Sequence, residues 1–303
     1  MGKVVLIGCG NVGMSYAYSL VTSKNKVSEL VLIDVNHAKA QGEALDLQHA
    51  AVYNTTRVKI KAGDYTDCCD ANIVCICAGA IMQPGETRPQ LLNRNYKIMQ
   101  NIVGQVVESG FKGIYLVATN PLDVMTYAVL RLSGVKPRKV IGSGTTLDTA
   151  RLRHLIGEEI NIHPKNIHSY VVGEHGDTAM VPWSCSFIGL NKIDQFLNEE
   201  QRKKIVYQVR NSAYEIIEKK GSTYYGIGIC LKDITETILE DSGGIKTVSV
   251  YSPEHDTCFG MPAILCKRGV VRTLKLELNT IEQKKLDESI SAIKEMCSQI
   301  NWE

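Results

Sequence analysis

Short apolar runs that alternate with helical segments constrain the fold of this chain more than any other feature. The first half contains runs rich in β-branched residues at 4–7, 30–33, 58–61, 73–77, 114–118 and 139–141, and amphipathic segments separate them. Apolar strands separated by helices are typical of a parallel sheet that is covered on both faces. Because crossovers between parallel strands are right-handed, we predict a doubly wound α/β sheet of the Rossmann type.

The second half is less regular, and we predict a mixed α/β (α+β) domain there. Helical patterns cover 145–160, 198–219 and 224–239 and begin again at 280, and antiparallel strands are predicted at 245–251, 263–267 and 270–276. Shorter strands are predicted at 167–172 and 182–188. A chain of 303 residues is long for one hydrophobic core. We therefore predict two domains, residues 1–143 and residues 144–303.

Composition excludes several classes of protein. The net charge of +2 indicates no nucleic-acid partner, and no apolar run reaches the roughly 18 residues of a membrane span. The first residues lead directly into a strand pattern, so we expect no signal peptide. The ten cysteines form no Cys-x-x-Cys pair, which indicates free thiols in a reducing cytoplasm. No three residues show the spacing of metal ligands, so we predict no metal site.

A glycine-rich turn follows the first predicted strand. It reads Gly8-Cys-Gly10-Asn-Val-Gly13 and opens the first helix, and Asp34 ends the second strand. Such glycines let backbone amides approach a pyrophosphate at a helix N-terminus, where the partial charge is positive. An acidic residue at the second strand holds ribose hydroxyls and repels a 2′-phosphate, so we predict binding of NAD rather than NADP. The alternative is an ordinary strand–turn–helix with a capping Asp.

A histidine between glycines is the first candidate for chemistry. His175 lies in Gly-Glu-His-Gly-Asp after a predicted strand, and histidine is suited to move protons near neutral pH. Asp148 and Arg151 are three residues apart and share a helix face. A carboxylate can fix the tautomer of a histidine, and an arginine can clamp a substrate carboxylate. Spacing alone also fits a surface ion pair between Asp148 and Arg151.

Taken together, these motifs resemble those of one family. The glycine-rich turn with Asp34, the loop Ala78-Gly-Ala to Pro-Gly-Glu-Thr-Arg88, Thr-Asn120-Pro, Leu-Asp148-Thr-Ala-Arg151 and Gly-Glu-His175-Gly-Asp occur in one order. The chain thus resembles the L-lactate/malate dehydrogenase family, and most of all its bacterial-type L-lactate dehydrogenases, over essentially its whole length. The resemblance implies an NAD-dependent oxidoreductase of L-2-hydroxy acids, active in glycolysis and fermentation, that forms a homotetramer. A binding protein that reuses the fold would be expected to lack one of these residues.

The resemblance also assigns roles to residues. His175 donates a proton to the 2-oxo group, Asp148 is its partner, Arg151 binds the substrate carboxylate, and Arg88 polarises the carbonyl. Asn120 bonds the reacting oxygen, and Thr223 lines the substrate pocket. The residues expected to contact NAD are Gly8, Gly10, Asn11, Val12, Gly13, Asp34, Ala78, Gly79, Asn120, Ser143 and Ile227. In this reading the loop that ends at Arg88 closes over the substrate and excludes water.

Met82 is a departure from the family pattern. Lactate dehydrogenases usually carry glutamine at this loop position and malate dehydrogenases carry arginine, and Gln83 falls one residue later. A methionine cannot pair with the second carboxylate of oxaloacetate, and its flexible thioether accommodates varied apolar groups. We therefore expect pyruvate as substrate, with a larger apolar 2-oxo acid (an L-2-hydroxyisocaproate-like activity) as the alternative. Malate dehydrogenase activity is the third possibility.

Two basic residues resemble an allosteric site. Arg153 and His168 match the pair that binds fructose 1,6-bisphosphate between subunits in many bacterial L-lactate dehydrogenases. Cationic groups that face their symmetry mates can bind phosphate. Unregulated relatives carry both residues as well, so an enzyme without this activator remains an alternative.

Overall fold

The computed structural model describes residues 2–24, 26–54, 57–81 and 85–302. The predicted pocket residue Met82 lies outside these ranges, so its position is still a prediction.

The strands lie close to the predicted runs in the first half. In chain order they are β1 (Gly2–Ile7), β2 (Val27–Ile33), β3 (Lys59–Ala62), β4 (Ile73–Ile76), β5 (Ile114–Val117), β6 (Val140–Gly142), β7 (Ile167–His168), β8 (Phe187–Ile188), β9 (Asn191–Lys192), β10 (Ile245–Ser252), β11 (Thr257–Cys266) and β12 (Gly269–Thr273).

Eight helices lie in the described residues, and the four predicted in the second half begin within one residue of the predicted positions. They are α1 (Asn11–Thr22), α2 (His37–Ala51), α3 (Arg88–Glu108), α4 (Leu122–Ser133), α5 (Thr146–Ile160), α6 (Glu199–Lys220), α7 (Tyr225–Leu239) and α8 (Thr280–Ser298). None of these helices combines the length and the apolar character that a membrane crossing requires.

The main sheet confirms the predicted doubly wound fold. Its strand order is β12-β11-β10-β6-β5-β4-β1-β2-β3. All pairings from β6 to β3 are parallel. The chain moves outward from β1 to β3 and then returns to the other side of β1 at β4. Loops that follow β1 and β4 therefore part at the carboxyl ends of these strands, which is where open α/β sheets bind ligands.

Strands from the second half extend the same sheet. β10, β11 and β12 are antiparallel, as predicted, and β10 pairs with β6 through Ser249 and Gly142. The sheet is therefore continuous across the boundary that the sequence suggested near residue 143, and the division into residues 1–143 and 144–303 stays a proposal.

Two apolar clusters cover the two faces of the sheet. Successive residues of β5 alternate between them: Tyr115 and Val117 belong to the cluster with α3, α4 and α8, whereas Ile114 and Leu116 belong to the cluster with α1, α2 and α7. This alternation follows from the two-residue period of a strand, and burial on both faces explains why the runs are apolar throughout.

The remainder of the second half departs from the predicted pattern. The predicted strand 167–172 is reduced to β7, and Val172 makes only an isolated bridge to Met180. β7, β8 and β9 form a separate small sheet. The apolar period of the helical pattern at 198–219 predicts that Val209 and Ile217 face the interior. In α6 Val209 is buried, but Ile217 is 45% exposed, so its predicted inward position is wrong.

Cysteine side chains are distributed through the structure as free thiols. The sulfur atoms of Cys75 and Cys77, on the same side of one chain segment, lie 3.8 Å apart. Burial raises the pKa of the Cys75 thiol well above its ordinary value, and the neighbouring Cys77 adds to the effect. The thiol form is therefore favoured at neutral pH.

Two buried tyrosines give a matched test of this core. The Tyr115 hydroxyl makes no hydrogen bond with any described residue, whereas the Tyr16 hydroxyl lies 2.7 Å from Thr235 Oγ1. We expect Tyr115→Phe to leave the free energy of unfolding unchanged or to raise it by up to about 1 kcal/mol, because it removes a buried unpaired group. Tyr16→Phe should lower it by about 0.5–1.5 kcal/mol. Urea denaturation of both variants measures the difference, and equal losses would contradict it.

Candidate active site

The glycine-rich turn after β1 leaves the start of α1 open. Gly8 has φ of +104°, and a side chain there would lie 2.5 Å from the backbone nitrogen of Ala78. A side chain at Gly13 would lie 2.0 Å from the Gly8 carbonyl oxygen. Among the described residues, no atom lies within 4 Å of the corresponding position at Gly10, and no side chain caps the helix that begins at Asn11. The first amides of α1 thus face open space, as binding of a pyrophosphate requires.

Asp34 is held in a fixed orientation at the end of β2. Its Oδ2 accepts a hydrogen bond from the Cys9 amide at 2.8 Å, and its Oδ1 accepts one from the Asn36 amide at 2.9 Å. A carboxylate has about four acceptor positions, so it can still accept from two ribose hydroxyls. A cleft of about 420 Å³ lies beside it, lined by residues that include Ile7, Gly8, Ile33, Asp34, Val35, Tyr65, Ile98 and Ile102. These residues fit the adenosine half of NAD.

The carboxyl ends of β4, β5 and β6 carry the other predicted cofactor contacts. Thr119 Oγ1 donates to the Ala78 carbonyl at 2.7 Å, and a side chain at Gly79 would lie 2.9 Å from Thr119 Cγ2. Ser143 directly follows β6 and is 3% exposed. A residue at the carboxyl end of this strand is positioned to meet a ligand in the crevice, which fits the predicted contact with the nicotinamide carboxamide.

Asn95 connects two of these loops and was not predicted as a site residue. Its Oδ1 accepts from the Ala80 amide at 2.7 Å, and its Nδ2 donates to the Asn120 carbonyl at 2.9 Å. It is 3% exposed and lies on the buried face of α3. An asparagine within the apolar stripe of a predicted helix was the signal that could have identified it, because a buried amide needs partners.

The start of α7 packs against two parts of the site, namely α1, which follows the glycine-rich turn, and the start of α5, which carries Asp148 and Arg151. A side chain at Gly228 would lie 2.8 Å from the backbone of α1, and one at Gly226 would lie 2.7 Å from Leu147 at the start of α5. Ile227 lies between these two glycines and packs against the cluster that contains α1. Thr223 precedes the helix. These close contacts bring Ile227 and the segment that contains Thr223 to the junction of the glycine-rich turn and α5.

His175, Asp148 and Arg151 form a connected group. His175 Nδ1 lies 2.6 Å from Asp148 Oδ2, and Arg151 Nη1 donates to Asp148 Oδ1 at 3.0 Å. The side chains of Asp148 and Arg151 are only 11% and 12% exposed, whereas that of His175 is 28% exposed. The pair between Asp148 and Arg151 is therefore not a surface ion pair, and the imidazole is the most exposed side chain of the group.

The pKa values in this group favour the charged forms. Burial acts to lower the pKa of His175, but the charge and hydrogen bond of Asp148 outweigh it, so the pKa is raised above 6.5. Burial likewise acts to raise the pKa of Asp148, but His175 and Arg151 outweigh it and the pKa falls below 3.8. The Asp148 carboxylate therefore favours protonation of the imidazole.

Asp123 and Ser249 position the histidine and were missed in the sequence. The His175 amide donates to Asp123 Oδ2 at 2.8 Å, and the Ser249 hydroxyl donates to Asp123 Oδ1 at 2.6 Å. Asp123 is 2% exposed, and burial raises its pKa to about 6 despite both hydrogen bonds. In the sequence it is an acidic residue in the first turn of a helix, a common stabilising position, so nothing distinguished it.

The rest of the histidine loop is attached to β11 and α8. Gly173 exchanges backbone hydrogen bonds with Gly260 at 2.9 and 2.8 Å. The Glu174 amide donates to Ser289 Oγ at 2.8 Å. Gly173 has φ of +89°, and a side chain there would lie 2.4 Å from Ser289 Oγ. The loop is thus fixed on both sides of His175, and a larger residue at position 173 would displace it.

Arg88 begins α3 and lies near the same loop. Thr87 caps the helix, since its hydroxyl accepts from the Gln90 amide while Gln90 Oε1 accepts from the Thr87 amide. Hydrogen bonding to Asp177 raises the pKa of Tyr214, and the positive charge of Arg88 acts in the opposite direction. Arg88 is therefore close to the Asp177–Tyr214 pair, and it forms no ion pair with a described residue.

The two residues of the predicted allosteric site lie at the small sheet. Arg153 Nε donates to the Ser169 carbonyl at 3.1 Å, and its guanidinium lies 4.8 Å from the centre of the Tyr170 ring. His168 is exposed in β7. Both residues remain candidates for phosphate contacts on this face.

Comparison with known proteins identifies the family. Residues 2–142 match the lactate/malate dehydrogenase NAD binding domain, and residues 145–302 match the alpha/beta C-terminal domain of the same family. L-lactate dehydrogenase 2 of Bacillus cereus is 46% identical to the chain, and L-lactate dehydrogenase 1 of Bacillus anthracis is also 46% identical. In each case the match covers 97% of both chains.

Solved structures that are similar to this chain are also those of lactate dehydrogenases. The ligand-bound minor L-lactate dehydrogenase from Enterococcus mundtii is 38% identical, covers 100% of this chain and 99% of its own, and superimposes with a TM-score of 0.97. A lactate dehydrogenase from a Medee basin deep-sea metagenome library is 43% identical over 98% of both chains, with a TM-score of 0.95. The chain therefore belongs to the lactate/malate dehydrogenase family of NAD-dependent oxidoreductases.

Proposed function

We propose that the protein is an NAD-dependent L-lactate dehydrogenase that interconverts pyruvate and L-lactate. The observation that carries this proposal is the group in which Asp148 holds His175 at 2.6 Å and Arg151 at 3.0 Å. The reaction regenerates NAD⁺ from the NADH of glycolysis, as fermentation requires. The L configuration rests on the names of the relatives.

His175 is the proton donor in pyruvate reduction. Asp148 engages Nδ1, so Nε2 is the nitrogen that delivers the proton to the carbonyl oxygen. When bound, NADH supplies the hydride that forms the new bond at C2, and pyruvate with NADH and one proton gives L-lactate and NAD⁺. Asp148 stays ionised throughout and stabilises the imidazolium before the proton leaves.

Arginine side chains bind and polarise the substrate. Arg151 gives one hydrogen bond to Asp148, and its remaining donors can hold a substrate carboxylate on two parallel bonds. Arg88 stabilises the negative charge that develops on the carbonyl oxygen, and Asn120 donates to the same oxygen. Arg88 is the first residue of α3 and directly follows the loop that we expect to close over the substrate.

The substrate pocket is completed by Thr223 and Met82. Neither side chain carries a positive charge, so neither can pair with the second carboxylate of oxaloacetate. This favours a monocarboxylic 2-oxo acid. Pyruvate is our proposed substrate, and a branched apolar 2-oxo acid is the alternative that Met82 supports.

We further propose a cytoplasmic homotetramer that fructose 1,6-bisphosphate activates at Arg153 and His168. Its symmetry would bring two copies of this basic pair together. Sedimentation velocity tests the assembly. Pyruvate saturation curves with and without the sugar bisphosphate test the activation, which fails if the two curves coincide.

The first experiment compares three substrates. NADH oxidation is followed with pyruvate, oxaloacetate and 4-methyl-2-oxopentanoate, and we expect the largest kcat/KM with pyruvate. If the branched acid is preferred, the enzyme is an L-2-hydroxyisocaproate-type dehydrogenase. Preference for oxaloacetate would mean that another group, such as Gln83, meets the second carboxylate and that the assignment of Met82 is wrong.

Met82→Arg tests the predicted pocket directly. An arginine at this position can pair with the second carboxylate, so we expect kcat/KM for oxaloacetate to rise by about tenfold or more while that for pyruvate falls. Gln83→Arg adds the same charge one residue later and is the matched control. An equal rise in both variants would show that general charge, rather than position 82, attracts the substrate.

Asp148→Asn should shift the pH profile of pyruvate reduction to lower pH. Reduction needs protonated His175, so the rate falls as pH rises through the raised pKa of His175. The substitution removes the charge that raises this pKa, while burial still lowers it. We expect this shift to lower pH together with a loss of about 10²–10⁴ in kcat. Asp177→Asn is the control, since Asp177 bonds Tyr214 instead, and its profile should hardly move.

Asp123 is a positioning residue, and two substitutions separate its effects. Asp123→Asn can still accept from the His175 amide, so we expect a modest loss of kcat with an acid shift of the pH profile, because a negative charge near His175 is lost. Asp123→Ala removes the acceptor and should lower kcat by about 10²-fold through misplacement of His175. Full activity of the alanine variant would refute this role.

The free energy of unfolding of the wild-type enzyme should also depend on pH because Asp123 is buried. The Asp123 pKa rises from 3.8 to about 6 on folding, so its contribution to stability is complete below 3.8 and is lost as pH rises through about 6. Thermal unfolding across this range should show a slope that is absent from Asp123→Asn.

A further inference from the structure

A basic cleft lies at the edge of the sheet opposite His175. It has a volume of about 590 Å³ and opens where β4 and β5 begin, whereas the candidate active site lies where they end. The positively charged residues that line it lie in three connections of the chain: from α3 to β5, from α4 to β6, and from β11 to β12. The cationic residues of this basic cleft are Lys112, Arg138, Lys139, Lys267 and Arg268.

Little negative charge offsets these five cations. Asp70 also lines the cleft, but its carboxylate is bonded to Lys3 at 2.6 Å. Lys267 pairs with Asp241 at 3.2 Å in an exposed position. In the part of the chain that the structure describes, Lys112, Arg138 and Arg268 form no ion pair. The whole chain carries only +2, so this concentration of positive charge is local.

Backbone contacts hold the walls of the basic cleft together. Gly269 has φ of +96°, and a side chain there would lie 1.9 Å from the carbonyl oxygen of Arg138. A side chain at Gly113 would lie 2.4 Å from the carbonyl oxygen of Asn72. The Lys139 amine also donates to the Lys112 carbonyl. Arg138 and Arg268 therefore lie on two segments that are in direct backbone contact.

We propose that the basic cleft binds a small anion with two or more phosphate groups, at a site separate from the active site. Guanidinium groups match phosphate with paired hydrogen bonds, and ammonium groups add charge without fixed geometry. The volume is within the roughly 300–1,000 Å³ of small-molecule sites. The cations converge in a concavity instead of following a stripe along one face, which favours a compact ligand over a nucleic acid.

Calorimetric titration with inorganic tripolyphosphate tests the proposal. The full-length enzyme is used with saturating NAD⁺, so that the glycine-rich turn is filled, at about 150 mM salt to suppress diffuse attraction. The background carries Arg153→Gln, which removes the proposed sugar-bisphosphate contact. We expect saturable binding of one tripolyphosphate per chain, and inorganic phosphate should bind about tenfold more weakly because it meets fewer cations.

Two double variants that each remove two positive charges test whether the anion binds in the basic cleft. Adding Arg138→Gln with Arg268→Gln should weaken the dissociation constant by about tenfold or more. Arg57→Gln with Arg272→Gln removes two exposed arginines elsewhere and should have little effect. The cleft variant should keep the kcat for pyruvate, which shows that it is folded. Absence of saturable binding, or equal weakening in both pairs, would overturn the proposal and leave an ordinary solvated surface.

Discussion

The parallel pairing of β1 with β4 is the contact on which the site depends. It places the turn after β1 against the loop after β4, so closely that Gly8 and Ala78 leave no room for a side chain between them. The reversal of strand order at this pair opens the crevice for the cofactor. β5 and β6 are the next strands beside β4 in the sheet, and Asn120 and Ser143 lie just beyond the carboxyl ends of these two strands.

Two buried carboxylates, Asp148 and Asp123, hold His175 from two different helices. Asp148 faces His175 and Arg151, and Asp123 supports the backbone of His175 from α4. Each carboxylate receives hydrogen bonds on both oxygens, which offsets much of the cost of its burial. His175 is thus held by its ring from α5 and by its backbone amide from α4, and the charges of both Asp148 and Asp123 act to raise the pKa of its imidazole.

Sequence patterns predicted the parallel half of the fold because strands buried on both faces are apolar throughout, and the motifs predicted the group around His175. They did not predict that β10 to β12 would join the same sheet, since strand pairing depends on residues more than 100 positions apart, such as Gly142 and Ser249. Asp123 and Asn95 were missed for a related reason. Three of their four partners are backbone groups of distant segments, and a backbone group carries no sequence signal. Ile217 followed the helical period but lies beyond the part of α6 that is packed.

The continuity of the sheet limits how the molecule can move. Ser249 lies in β10, pairs with β6 and bonds Asp123, so one residue is shared by the sheet and by the support of His175. Rotation of one half against the other would break this pairing and the bond to Asp123 together. We therefore expect opening and closing around a substrate to use surface segments such as the start of α3, while the histidine loop keeps its attachment to the sheet.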